Sequence, residues 1–77
     1  MTLYELVENI TICGNINIVV FDEAGEREKE IHLAAVDCLD CYCNDLEEVE
    51  DLEVTYIYHE RGPAGMAWVV IELQKEG

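Results

Sequence analysis

The feature that most constrains the fold is a set of four short segments with strand character, arranged as two pairs within 77 residues. In residues 15–21 and 27–33 the side chains alternate in polarity, as in strands with one buried face. The intervening turn contains Gly25, which can adopt a positive φ, so these segments predict a hairpin. The predicted core-facing side chains are Ile16, Ile18, Val20, Lys29, Ile31 and Leu33, and the predicted outward ones include Asn17, Val19, Glu28, Glu30 and His32.

The second pair consists of residues 54–59 and 66–73, which are rich in β-branched and aromatic side chains. The loop between them holds the only proline and two glycines, which predicts a second hairpin. On the last strand, the side chains predicted to face a covering helix are Ala67, Val69, Ile71 and Leu73. Met66, Trp68 and Val70 then lie on the opposite side of the sheet.

The N-terminal residues predict a helix. Thr2 followed by Glu5 fits a capping box, and an apolar stripe follows at helical spacing, formed by Leu3, Leu6, Val7 and Ile10. Between the hairpins, residues 34–43 predict a short second helix and residues 44–53 a further helical turn. The expected fold is one α+β domain over residues 1–77, with a four-stranded antiparallel sheet and the first helix packed on one face.

The sheet face opposite the first helix is unusually apolar for a surface. Its expected residues are Tyr56, Tyr58, Trp68 and Val70. Apolar patches of this kind mark interfaces, and a homodimer would bury it. The alternative is that the second helix or residues 44–53 fold over the patch.

The net charge of −14 limits the possible partners. It opposes direct binding to nucleic acid or an anionic membrane and favours basic protein surfaces. Eight of the eighteen acids lie in one stretch without a basic residue: Asp37, Asp40, Asp45, Glu47, Glu48, Glu50, Asp51 and Glu53. We call this set the acidic stretch and expect it to be an interaction surface, the alternative being a solvated surface that keeps the protein soluble.

The acidic stretch also suggests a mimic of nucleic acid. As a helix, residues 45–53 would be about 13 Å long and carry one charge per roughly 2 Å. Duplex DNA carries one charge per about 1.7 Å of axis. An extended conformation would loosen the spacing to about 5 Å per charge, so the comparison depends on helical structure.

Four cysteines offer the only recognisable set of metal ligands. Cys38, Cys41 and Cys43 lie close in sequence and Cys13 is distant. Four thiolates can hold zinc or an iron–sulfur cluster. The alternative is that they are reduced thiols, which are often buried.

Catalysis and export have little support. The chain has no serine, and neither His32 nor His59 has a neighbouring nucleophile in sequence. The N-terminus lacks the basic and apolar segments of a signal peptide, and no stretch approaches the roughly 20 apolar residues of a membrane span. We therefore expect a cytoplasmic protein that is not an enzyme.

The opening residues 1–7, the following Ile/Val strand and the turn at residues 22–26 resemble those of many small uncharacterised acidic proteins of bacteriophages and mobile elements. The resemblance lies in the general arrangement of these segments and not in a signature motif, so it implies no functional residues. Such proteins include inhibitors that resemble DNA in charge. The sequence thus predicts a non-enzymatic, acidic interaction domain that docks on a basic protein surface, the alternative being a small cysteine-ligated metal-binding module.

Overall fold

The computed structural model describes residues 1–76, apart from the side chains of Cys43 and Pro63. Gly77, the end of the predicted domain, lies outside the described residues. The elements in chain order are α1 (Leu3–Asn9), β1 (Gly14–Phe21), β2 (Arg27–Val36), a 3₁₀ turn (Leu39–Tyr42), α2 (Cys43–Leu46), β3 (Glu53–Arg61), a second 3₁₀ turn (Pro63–Gly65) and β4 (Ala67–Gln74). Within the described range, neither helix has the length and apolar character needed to cross a membrane.

Helix α1 begins with the predicted capping box. The Glu5 amide donates to Thr2 Oγ1 at 3.2 Å, and the Thr2 amide donates to Glu5 Oε1 at 3.0 Å. Leu3 and Leu6 are buried. The helix ends at Asn9, so Ile10 adopts an extended conformation and is exposed, and the predicted apolar stripe is one residue too long.

The four strands form one mixed sheet in the order β2-β1-β4-β3. Both predicted hairpins are present as antiparallel pairs. The two central strands, β1 and β4, run parallel, with Ile18 opposite Ile71 and Val20 opposite Leu73. The prediction of a purely antiparallel sheet is therefore wrong, because side chains alternate in the same way whichever direction the neighbouring strand takes.

The segment between the hairpins differs from the prediction. Residues 34–36 continue β2 instead of starting a helix, and Ala35 adopts a φ of +53° while its amide donates to Asn15 Oδ1 at 3.1 Å. The only α-helix in residues 37–52 is α2, a single turn of four residues. The longer helical turn predicted for residues 44–53 is thus replaced by turns after Leu46.

This connection packs on the same face of the sheet as α1. Leu46 and Val49 are buried in one cluster with Leu3 and Leu6 and with side chains of the central strands. The Leu3 amide also donates to the carbonyl of Leu52 at 3.1 Å. The connection therefore does not fold over the opposite face, which was one of the predicted alternatives.

The two faces of the sheet consequently have different environments. The core cluster takes from the sheet the alternate residues Ile16, Ile18, Val20, Val36, Ile71 and Leu73. The residues of β1 and β4 that alternate with these, among them Asn17, Val19, Trp68 and Val70, point to the other side, which neither α1 nor α2 covers. We call this side the open face.

Candidate functional site

The predicted apolar residues lie together on the open face. Tyr58 is opposite Val70 in the β3–β4 ladder, and Tyr56 is opposite Glu72. Tyr56 and Tyr58 are 67% and 40% exposed, Trp68 is half-buried, and Val70 is buried. The shared face is as predicted, but charged and polar neighbours divide it, so it is not a continuous apolar patch.

These neighbours shape a concave cleft of about 350 Å³. Such a volume is at the lower end of the range of ligand sites, roughly 300–1,000 Å³, and suits one or a few side chains. All four strands contribute to it, and its lining is Asn17, Val19, Arg27, Glu30, His32, Tyr58, Glu60, Gly62, Trp68 and Val70. We refer to this site as the cleft.

The strand order explains the layout of the cleft. Val19 and Val70 come from the central strands and are buried, so they form an apolar floor. Glu30 on β2 and Glu60 on β3 come from the two edge strands. The cleft therefore has an apolar floor with one carboxylate on each side.

Glu30 is the centre of a polar network on the β2 side. Its Oε1 accepts from Asn17 Nδ2 at 3.0 Å, and its Oε2 lies 3.4 Å from Arg27 Nη1. His32 Nε2 lies 3.8 Å from Oε1 and adds an ion pair only when the imidazole is protonated. The hydrogen bond from Asn17 lowers the pKa of Glu30, and the nearby Arg27 and His32 lower it further.

The other side-chain atom of Asn17 is unsatisfied. Oδ1 is screened from solvent and accepts no hydrogen bond from the described part of the chain. An unpaired buried acceptor costs on the order of 1–3 kcal/mol. Asn17 therefore supports the Glu30 carboxylate at some cost to stability.

Trp68 is held in place by two neighbours. Its ring lies 5.8 Å from the ring of His32, centroid to centroid, with the planes at 80°. A Cβ placed on Gly62 would lie 2.5 Å from Trp68 Nε1, much closer than van der Waals contact. The indole thus packs directly on the Gly62 backbone, which only glycine permits.

Tyr58 is oriented by Glu72. Its hydroxyl donates to Glu72 Oε2 at 2.6 Å, and this hydrogen bond is the main cause of the raised pKa of Tyr58. Glu60 adds to the increase. The β3 side of the cleft therefore presents a neutral phenol among carboxylates at neutral pH.

The acidic stretch lies away from the cleft. Seven of its eight acids are exposed and Glu50 is half-buried. Glu48 forms an ion pair of 2.9 Å with Lys29, and Glu53 pairs with the N-terminal amine. Because α2 is a single turn, the stretch does not have the continuous helical spacing on which the comparison with DNA depended.

Basic groups on the surface are largely neutralised within the molecule. Lys75 lies 2.6 Å from Glu28, and Arg27 and Lys29 contact Glu30 and Glu48. Three of the four Lys and Arg side chains are thus paired with acids. The exposed charge available to a partner is consequently almost entirely negative.

The cysteines are only partly described. Cys13 and Cys41 are exposed and Cys38 is half-buried, while the Cys43 side chain lies outside the described residues. Proximity to Cys38 raises the pKa of Cys41. Among the described side chains, no three His, Cys, Asp or Glu groups are arranged to hold a metal ion. The four-cysteine site includes Cys43 and stays a prediction, which metal analysis of the purified protein would test.

The cleft includes residues that the sequence analysis did not assign to a site. The alternation of polarity placed three of them, Asn17, Glu30 and His32, on the outward side of their strands. It did not show that β2 and β3 flank one site. The fold and site define the protein as a small α+β domain with a four-stranded mixed sheet whose open face carries an acidic and aromatic cleft. Comparison of the chain with protein-family models, with curated proteins and with solved structures finds no match.

Proposed function

We propose that this protein is a non-enzymatic interaction domain that binds a basic segment of a partner protein in the cleft. The observation that carries the proposal is the combination in one uncovered concavity of an apolar floor, aromatic walls and carboxylates on both sides. Interfaces are typically anchored by aromatic side chains in desolvated pockets. A basic segment would supply both apolar side-chain stems and the opposite charge.

The overall charge favours a basic partner over a second copy of this chain. Two copies at −14 each repel one another, whereas a basic segment is attracted from a distance. The ion pairs of Lys29 and Lys75 strengthen this argument, because they leave few cations to meet the acids of another copy. A homodimer is therefore the competing occupant that an experiment must distinguish.

The acidic stretch has a different part in this proposal. Its exposed carboxylates would raise the association rate of a basic partner through long-range attraction. Two acids of the acidic stretch, Asp40 and Glu50, border a second concavity of only about 30 Å³. The much larger cleft would therefore provide the specific contacts.

The experiment uses the single tryptophan, Trp68, which lines the cleft and reports on its occupancy. Two short synthetic peptides with identical apolar residues are titrated against the protein. In one peptide the apolar residues alternate with basic residues, and in the other with acidic residues. We expect the basic peptide to change the Trp68 emission and to bind more weakly as salt rises. No binding of the basic peptide at low salt would overturn the proposal.

Measurement of the molar mass by light scattering tests whether a second copy of the chain, and not a basic segment, occupies the open face. We expect a monomer across the concentrations used for the titrations. A stable dimer whose formation shields Trp68 from a soluble quencher would assign the open face to a second copy and contradict the proposal.

A further inference from the structure

Going one step further than the proposed function, on which this inference rests, we propose that the cleft recognises an arginine side chain. Its guanidinium group would bind Glu30 and displace Arg27 from that carboxylate.

The Glu30 carboxylate is incompletely used within the molecule. Its Oε2 is contacted by Arg27 at 3.4 Å, whereas charge-assisted N–H···O bonds are typically about 2.7–2.9 Å. The Arg27 side chain is 57% exposed, so little holds it in this place. A better-placed donor can therefore replace Arg27 at the same oxygen.

Arg27 also indicates which cation the cleft suits. It brings a guanidinium group to the edge of the cleft, beside a carboxylate. An intramolecular contact of this kind competes with a partner's arginine for Glu30. It would lower the affinity for the partner without being part of the recognition.

The surroundings favour guanidinium over ammonium. Trp68, Tyr58 and His32 line the cleft with flat rings, and a planar guanidinium can stack on a ring while donating in its own plane. Lysine has a compact, strongly hydrated charge that cannot do both. A guanidinium can also donate two parallel N–H groups to the Glu30 carboxylate, a geometry that the point charge of an ammonium does not match.

The test compares three peptides that differ only at one central position, which holds arginine, lysine or the uncharged isostere citrulline. Trp68 emission is the readout, and all other basic residues of the peptides are kept. We expect the arginine peptide to bind about tenfold more tightly than either of the others, the effect of one good charge-assisted hydrogen bond. Equal affinity for arginine and lysine would overturn the inference.

Variants of the protein locate the contact. Glu30→Gln should weaken the arginine peptide about tenfold, and Glu8→Gln, which removes the same charge from α1 on the other side of the sheet, should change its affinity less than about twofold. Arg27→Gln should strengthen binding, because it removes the internal competitor. Lys29→Gln removes the same charge from the core-facing side of β2 and corrects for the change in net charge.

The outcomes separate the two proposals. If basic peptides bind but Glu30→Gln and Arg27→Gln behave like their controls, the arginine site is wrong and the proposed function stands. If no basic peptide binds at low salt, the proposed function fails. The Arg27→Gln arm predicts a gain of binding, which damage to the fold would not produce.

Discussion

Replacing Gly62 by alanine tests how the cleft is held together. The added Cβ would lie 2.5 Å from Trp68 Nε1 and 2.6 Å from Cδ1, whereas ordinary contact begins at 3.4 Å. The indole must therefore move by about 0.9 Å, the difference between 3.4 and 2.5 Å, or the loop must shift by a similar amount. The Gly62 backbone is not in the left-handed region, so alanine causes no φ strain of its own.

The expected cost follows from this overlap. Overpacking of a well-packed position costs about 1–3 kcal/mol. A glycine-to-alanine change at an unstrained position returns about 0.4–1 kcal/mol by restricting the unfolded chain. We expect Gly62→Ala to lower the free energy of unfolding by about 1–2 kcal/mol, a noticeable part of the roughly 4–12 kcal/mol typical of a domain of this size.

Urea denaturation followed by far-ultraviolet circular dichroism measures this change, and a double-mutant cycle assigns its cause. The same Gly62→Ala change is made in a Trp68→Leu background, where the smaller side chain leaves room for the methyl group. We expect the cost to disappear there or become a small gain. An equal cost in both backgrounds would refute the packing of Trp68 on Gly62.

Three further predictions concern the stability of the fold. Ile71→Ala, at a fully buried position beside Ile18 in the centre of the sheet, should cost about 2–5 kcal/mol in urea denaturation, and a cost below 1 kcal/mol would contradict its core position. The pKa of Glu30 is lowered in the folded state from its ordinary value of 4.5. The ionised Glu30 therefore stabilises the fold fully above pH 4.5, and this stabilisation is lost as the pH falls through the folded pKa. The free energy of unfolding, measured by urea denaturation from about pH 6 to about pH 3, should therefore fall less for Glu30→Gln than for the unchanged protein. An equal fall in both would count against the polar network around Glu30. Salt should raise the melting temperature between about 10 and 150 mM, because it screens repulsion among the eighteen acids, and a salt-independent melting temperature would argue against that repulsion.

The elements of the fold follow from local patterns. The capping box of Thr2 and Glu5 correctly placed the start of α1. Alternation of polarity placed the first two strands, and β-branched and aromatic content placed the last two. These features depend on residues close together in the chain. The helix predicted for residues 34–43 is reduced to short turns from Leu39 onward, because β2 continues to Val36 through Ala35, whose amide bonds to Asn15 on the neighbouring strand.

The candidate site was predictable only in part. The aromatic residues Tyr56, Tyr58 and Trp68 were placed on one face because their spacing is that of strands. Glu30 and Glu60 could not be placed on opposite sides of one cleft, since nothing local determines which strands lie at the edges. The acidic stretch was conspicuous in sequence, but none of its eight acids lines the cleft.

The sequence by itself determined the charge of the surface, the number of strands and the side chains that face the core. These depend on composition and on periodicities of two and of about three and a half residues, which are local properties of the chain. The tertiary structure alone decided that β1 and β4 are parallel neighbours and that the acidic connection covers the same face as α1. The physical reason is that these choices depend on how Leu46, Val49 and α1 bury apolar surface together, across long separations in sequence. That packing leaves the other face open and brings the acids of both edge strands to one cleft.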